Sequence, residues 1–341
     1  MAELAEALCD YLVQKTGAWH GQVLAFDRLS GGAIQDNFGL TLDLSGGSHP
    51  GERAFVVRQD APSGVAESLG RPEEFAVLRA AFDAGVTVPE PLWLCEDTAV
   101  TGRRFYVMTR ARGNASGRAL AKAGWSEVRR RALVARLATE LAALHRVQPS
   151  SGVLGFLPAP EDGNAAQARV ALYRRYLAAI NEPHPVLEWG LNWLEDHAPA
   201  PRPLVLCHGD FRTGNYLVDE GELTAVLDWE FAAWSDPLED LGWLCSPSWR
   251  FGASEYEVGG IGHINDLLDT YFAASGQTVS PQELAYWQAM ALVRWAVIAL
   301  QQARRHCSGE QRSLELALTG RMVVQMEYDL LNQIDALEAL V

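Results

Sequence analysis

Residues 206–230 read LCHGDFRTGNYLVDEGELTAVLDWE, and the polar residues set into this stretch decide how the chain is read. His208-Gly209-Asp210, Asn215 and Asp228 punctuate short apolar runs. Val205-Leu206-Cys207 leads in as a buried strand. Tyr216-Leu217-Val218 and Leu223 to Leu227 flank the polar turn Asp219-Glu220-Gly221-Glu222, so the pattern predicts a hairpin. Such a hairpin brings Asp210, Asn215 and Asp228 to one end of a rigid scaffold. Phosphoryl transfer from a nucleotide uses that set. One carboxylate orients the hydroxyl nucleophile, while an amide oxygen and a second carboxylate hold Mg²⁺, a hard cation that prefers oxygen ligands.

These residues resemble the catalytic and metal loops of the aminoglycoside phosphotransferase and choline kinase group, small-molecule kinases that share the protein-kinase fold. The resemblance implies a Mg²⁺-dependent phosphotransferase, with ATP or GTP as donor and a small-molecule alcohol as acceptor. It implies Asp210 as the base and Asn215 and Asp228 as metal ligands. His208 is read as a buried brace of the loop, with general base as the alternative. Trp229 stands where protein kinases carry phenylalanine and is expected under the metal carboxylate. Glu230 either faces the metal or substrate or braces the loop. Asp236-Pro237-Leu238-Glu239-Asp240-Leu241 resembles the family segment that begins a helix and braces the catalytic loop through Asp236 or Asp240, an N-cap being the plainer reading. The gap from Asp228 to Asp240 is too short for a protein kinase's activation segment and no Ala-Pro-Glu follows, which argues against a protein substrate. A tighter likeness to one subgroup rests on Gly31 to Gln35, Val88 to Trp93, His208 to Val218 and Arg294-Trp295-Ala296. Relatives of that subgroup include kinase-like domains that phosphorylate hydroxyacyl thioesters.

Composition frames this reading. A chain of 341 residues has ample core for one large or two moderate domains. A net charge of −15 speaks against a nucleic-acid partner. The N-terminal MAELAEALCDYLVQK lacks a basic end and an unbroken apolar core, so no secretory signal is expected. The apolar run Ala289 to Leu300 contains Arg294 and is too short to span a bilayer. A cytoplasmic protein without membrane partners is expected; a homodimer is left open. Cys9, Cys95, Cys207, Cys245 and Cys307 show no paired spacing and read as reduced thiols rather than a disulfide frame or zinc site.

The order of elements fits an α+β, two-lobed protein-kinase-like fold: residues 1–109 as a small antiparallel-sheet, nucleotide-binding lobe, and 110–341 as a larger, mainly helical lobe carrying the catalytic loop and acceptor pocket. A helix is expected at 3–16, strands near 23–29, 37–44, 53–59, 92–95 and 104–109, and a helix at 71–84. Thr109 to Gly113 reads as a hinge, with Met108 and Arg110 beside it on the nucleotide's side. Beyond it, Leu133, Leu137, Leu141 and Leu144 recur on one helix face. Further helices are predicted at 164–181, 185–197, 263–275, 281–306 and 312–338.

In the small lobe, Ser30-Gly31-Gly32 between two strands lets backbone N–H groups approach phosphate, although a plain turn reads equally from the glycines alone. There is no GxxxxGK[ST] loop and no GxGxxG fingerprint. Family kinases place a strand lysine on the α/β-phosphates, paired with a helix glutamate. Only Lys15 and Lys122 are lysines in this chain, and neither falls there. Arg58 holds the position, with Glu74 as the expected partner and Glu73 as the neighbouring alternative; a solvated strand-end arginine is the competing reading.

The acceptor pocket is expected in the helical lobe, lined from 164–197, Trp249 to Gly252 and the helix around Arg294. Arg212, Arg250 and Arg294 with Trp243, Trp249 and Trp295 suit a neutral or acidic alcohol with an apolar body better than a polycation, unless they are simply core and surface. A catalytically weak, nucleotide-binding regulatory protein is the alternative function. The missing lysine favours it, and the intact Asp210, Asn215 and Asp228 speak against it.

Overall fold

The computed structural model describes residues 1–29, 36–60, 68–149, 152 and 154–339. Helix α1 (Ala2–Thr16) leads into β1 (His20–Arg28), β2 (Asp36–Ser45) and β3 (Gly51–Gln59). Helix α2 (Arg71–Asp83) follows, then β4 (Pro91–Cys95) and β5 (Phe105–Thr109). The five strands form one antiparallel sheet in the order β1-β2-β3-β5-β4.

Strand alternation divides this lobe into two cores. Successive side chains of a strand point to opposite faces. Phe55, Val57, Phe105 and Val107 therefore pack with Leu8 and Leu12 of α1. Val56, Tyr106 and Met108 face the other way, onto Val77 and Leu78 of α2 and the core of the second lobe. Arg58 shares the parity of Val56, and so lies on the α2 side of the sheet.

The second lobe is mainly helical. It contains α3 (Gly117–Ala121), α4 (Glu127–Leu144), α5 (Ala165–Ile180), α6 (Pro185–Asp196), α7 (Pro237–Leu244), α8 (Ile264–Ser275), α9 (Pro281–Cys307), α10 (Leu314–Arg321) and α11 (Val323–Glu338). The leucine stripe of α4 is buried as its spacing demands. Two small strand pairs belong to this lobe. β6 (Val205–Cys207) pairs with β9 (Ala233–Ser235), and β7 (Tyr216–Asp219) with β8 (Glu222–Val226) in the expected hairpin.

The architecture is the two-lobed α+β arrangement expected. It differs from the sequence reading in three short places. The single helix expected over 312–338 is interrupted at Met322. There the Met322 N–H bonds to the Thr319 carbonyl, a tighter turn of the 3-10 kind, just after Gly320 packs directly on Ala303 of α9. α3 and β9 were not foreseen, being too short to show a period.

The loop between β6 and β7 depends on Gly209. Its φ is 76°, and a Cβ there would fall 2.1 Å from the Phe231 carbonyl oxygen. Gly209→Ala is therefore expected to cost about 1–3 kcal/mol in backbone strain, visible as a lower Tm in a circular-dichroism melt. An unchanged Tm would mean that the loop relaxes freely.

Candidate functional site

The loop from His208 to Asn215 is anchored from below by α7. Asp236 caps that helix, accepting the Leu238 N–H at 2.8 Å. One turn on, the fully buried Asp240 accepts the His208 N–H at 2.7 Å and the Gly209 N–H at 3.0 Å. Of the two expected braces, Asp240 therefore holds the loop and Asp236 is the N-cap. Burial pushes the Asp240 carboxyl up, but its hydrogen bond to His145 and the other donors bring it below the usual range. His145 reaches Asp240 at 3.3 Å through Nε2 and the Tyr271 hydroxyl at 2.8 Å through Nδ1. The donor atoms of His145, Cys207 and Asp240 lie within 4.8 Å of one another, but these hydrogen bonds commit the histidine and carboxylate. Burial pushes the Cys207 thiol well up, as befits a core-filling residue.

His208 is locked by two backbone groups. Its Nδ1 accepts from the Asp210 N–H at 3.1 Å, so the ring proton sits on Nε2, which donates to the Leu227 carbonyl at 2.9 Å. Neither nitrogen is free to act as a base. Trp229 packs on this ring, with centroids 4.4 Å apart.

Asp210 is held by three donors. Trp243 donates its indole N–H to Oδ1 at 2.7 Å, and Arg212 Nε reaches the same oxygen at 3.2 Å. Asn215 Nδ2 donates to Oδ2 at 2.5 Å and to the Asp210 carbonyl at 3.0 Å. With its amide nitrogen committed, Asn215 has its oxygen left for a cation. Asp228 follows β8 at a φ of 70°, rare for a residue with a side chain. An amide oxygen and a carboxylate make an all-oxygen donor pair that suits Mg²⁺.

Arg58 is buried and spans the two lobes. Its Nε lies 2.9 Å from Glu74 Oε1, the expected partner, and its Nη2 lies 2.7 Å from Asp228 Oδ1. Glu230 Oε2 is 3.9 Å away, close enough to add a third negative charge. Burial pushes the Asp228 carboxyl up, but the Arg58 guanidinium outweighs this and holds it below its usual value. Sequence reading missed Arg71, buried beside Glu74 and paired with it one helical turn back. The three-residue spacing within α2 was the signal available.

Not every expected residue joins this group. Gly31 and Gly32 lie outside the described residues. Met108 is buried in the core shared by the lobes. Arg110 extends instead toward Asp27, with Nη1 3.7 Å from its carboxylate. Among the described residues, no hydrogen bond or ion pair joins Met108 or Arg110 to Arg58 or Asp210.

Around Asp210 the surroundings are aromatic and basic. Trp243, Trp249 and Trp295 cluster with centroids 4.9–6.5 Å apart. Arg212 lies over Trp249 at 4.5 Å and Arg294 over Trp243 at 4.3 Å. Glu239 orients Arg294 from 3.6 Å and Arg169 from 2.9 Å.

The model of the phosphotransferase enzyme family matches residues 26–290. The chain belongs to that family. It is 28% identical over 305 residues to rat acyl-CoA dehydrogenase family member 11, covering 83% of the chain but 38% of that relative's length. The chain thus spans about two fifths of such a relative. In fold it is similar to an aminoglycoside-phosphotransferase-like protein from Ralstonia eutropha, with a TM-score of 0.77, 23% identity and coverage of 97% and 98% of the two chains. It is also similar to a choline/ethanolamine kinase family protein from Mesorhizobium loti, with a TM-score of 0.57, 18% identity and coverage of 96% and 94%.

The Arg58 bridge gives a test. Arg58→Lys keeps the charge but cannot span Glu74 and Asp228 together. It should weaken ATP binding, and Arg58→Ala should do so more while costing on the order of 3 kcal/mol in stability. Calorimetry with adenosine, ADP and ATP should show the loss growing with the number of phosphates. Unchanged binding of all three by Arg58→Ala would leave Arg58 a structural bridge only.

Proposed function

We propose that Asp210 is the catalytic base and that Asn215 and Asp228 hold the Mg²⁺ of a bound ATP or GTP. In this reading Arg58, paired with Glu74, contacts the α/β-phosphates. Gly31 and Gly32 approach the phosphates by their backbone, and Met108 and Arg110 belong to the nucleotide's side of the cleft. Residues 1–109 are then the nucleotide-binding lobe and 110–341 the lobe carrying the acceptor pocket. The observation that carries this reading is the threefold restraint on the Asp210 carboxylate, because a base fixed in one orientation can align a hydroxyl for in-line attack.

Asp210 would take the proton of the acceptor hydroxyl as its oxygen attacks the terminal phosphorus. Arg212, bonded to the same carboxylate, is in reach to stabilise charge on the transferring group. Bound Mg²⁺ supplies charge neutralisation on the phosphates. Nothing in the geometry or the comparisons favours the catalytically weak, nucleotide-binding alternative.

For the acceptor, the tryptophan cluster and the guanidiniums of Arg212 and Arg294 support a neutral or acidic alcohol with an apolar body. A polycationic aminoglycoside would meet like charge there. The relatives named for acyl-CoA dehydrogenase add support for a hydroxyacyl compound, free or as a thioester.

A panel assay for ADP or GDP release with Mg²⁺ tests this. Hydroxy acids and hydroxyacyl thioesters should stimulate release and aminoglycosides should not; the reverse preference would overturn the acceptor assignment. With an accepted alcohol, Asp210→Asn should lower turnover by about 10²–10⁴ while nucleotide affinity holds. Turnover within a few-fold of the parent would remove Asp210 from the role. Asp228→Ala should abolish the Mg²⁺-dependent part of nucleotide binding. A metal effect that survives in this variant would put the ion elsewhere.

A further inference from the structure

Three helices bring a set of hydrogen-bond donors together beside Asp210. Arg169 and Tyr173 of α5 are four residues apart, as are Glu239 and Trp243 of α7, so each pair shares one helix face. Arg294 comes from the middle of α9. Among the described residues, Glu239 is the one carboxylate paired with the two arginines. It is already taken. Arg169 Nε lies 2.9 Å from each of its oxygens, and the Ser235 hydroxyl donates to it as well. Arg294 is left with an approach of 3.6 Å. Two guanidiniums on one carboxylate leave a positive charge unmatched, on a side chain that is only 13% exposed. Asp210 does not supply the match. It meets the edge of the Trp243 indole while Arg294 lies over its face, and it has Arg212 of its own. Arg212 and Arg250 also donate to backbone carbonyls, whereas Arg294 donates no hydrogen bond among the described residues. Tyr173 is in the same position. It is 4% exposed, and its hydroxyl has no hydrogen-bond partner among the described residues. Burial pushes that hydroxyl's pKa up, while Arg294 and Arg169 pull it the other way. A buried cation and a buried hydroxyl that lack acceptors are costly to keep unless something satisfies them.

We propose that Arg294 and the Tyr173 hydroxyl form a subsite for a carboxylate of the acceptor, which narrows the acceptor to a free hydroxy acid. The proposal rests on the reading of Asp210 as the base. The hydroxyl of the acceptor then meets Asp210 and its carboxylate meets Arg294, with the Trp243 indole between the two ends. The planar fork of a guanidinium takes both oxygens of a carboxylate, and the tyrosine hydroxyl adds a further donor. Glu239 and Trp243 fix the fork in place from its edge and its face. A thioester carbonyl carries no charge to match the cation, and a purely neutral alcohol would bury it unpaired. Arg294 is in this sense a specificity-determining residue, while Arg212 stays with Asp210.

Straight-chain carboxylates without a hydroxyl separate binding from phosphoryl transfer. Calorimetry on the full chain at constant ionic strength should show butyrate, hexanoate or octanoate binding at least about tenfold more tightly than the matching amide. Arg294→Gln should remove that preference, and Arg294→Lys should restore part of it through charge alone. Tyr173→Phe keeps the packing of the ring and should weaken the carboxylate about threefold to tenfold with the amide unaffected. In the ADP-release assay, Arg294→Gln should raise KM for a hydroxy acid at least about tenfold and leave KM for the neutral diol of equal length unchanged. A parent that binds acid and amide alike throughout the series would overturn the proposal, as would a carboxylate preference that survives Arg294→Gln. Turnover of a hydroxyacyl thioester in preference to the free acid, with KM unaltered by Arg294→Gln, would also overturn it. A carboxylate preference that Arg294→Gln removes, in a chain that turns over no hydroxy acid, would uphold the subsite and count against Asp210 as the base.

Discussion

One guanidinium ties the lobes together at the place where the chemistry is proposed. Arg58 is carried by a strand of the small lobe, and its alternation in β3 turns it toward α2. From there Nε serves Glu74 and Nη2 serves Asp228, a residue of the other lobe. A planar fork can satisfy two carboxylates on different sides, whereas an ammonium is a compact point charge. The group is buried, so removal of the cation would leave Glu74, Asp228 and Glu230 without the positive charge they share. Asp228 also holds a left-handed backbone, which costs on the order of 1–2 kcal/mol for a residue with a Cβ. Its ion pair with Arg58 is the contact that offsets that cost and fixes where the carboxylate points.

The second constraint lies beneath the loop. Asp240 is fully buried, yet it receives two successive backbone N–H groups and a histidine, enough donors to keep it ionised. Those bonds orient the peptide groups of His208 and Gly209, and Gly209 can turn there because it has no Cβ to strike Phe231. His208 then spends both ring nitrogens on the backbone. The imidazole that stands two residues before Asp210 is therefore a strut, which is why the carboxylate and not the ring is proposed as the base.

Much of this was legible in the sequence because it is local. The hairpin of β7 and β8 follows from two apolar runs around a polar turn, and the leucines of α4 announce their helix. The Arg58–Glu74 pair was legible from the family resemblance together with the order strand, connection, helix, with Glu73 as the neighbouring alternative. What was not legible depends on distance through space. Nothing in the sequence tells that Trp243 will aim its indole N–H at Asp210, since the two lie on different elements joined only by packing. The direct Arg58–Asp228 contact was hidden for the same reason, because it spans residues far apart in the chain. The approach of Arg110 to Asp27 was hidden likewise, since Asp27 lies on β1 and Arg110 follows β5. The break at Met322 was missed because apolar periodicity runs through it undisturbed.

The near absence of lysine gives these observations a common cause. Around the site, cations do work that depends on shape. Arg58 bridges two carboxylates. Arg212 bonds Asp210 by one edge while its plane lies over Trp249, and Arg294 lies over Trp243 while Glu239 orients it. Stacking on an indole and donating in the plane at once is possible for a guanidinium and not for an ammonium. Arginine at position 58 is thus consistent with the rest of the site, where each cation serves two neighbours. A lysine at position 58 would keep the charge but free one of the two carboxylates, and the carboxylate most exposed to that loss is Asp228, whose orientation the candidate metal site requires.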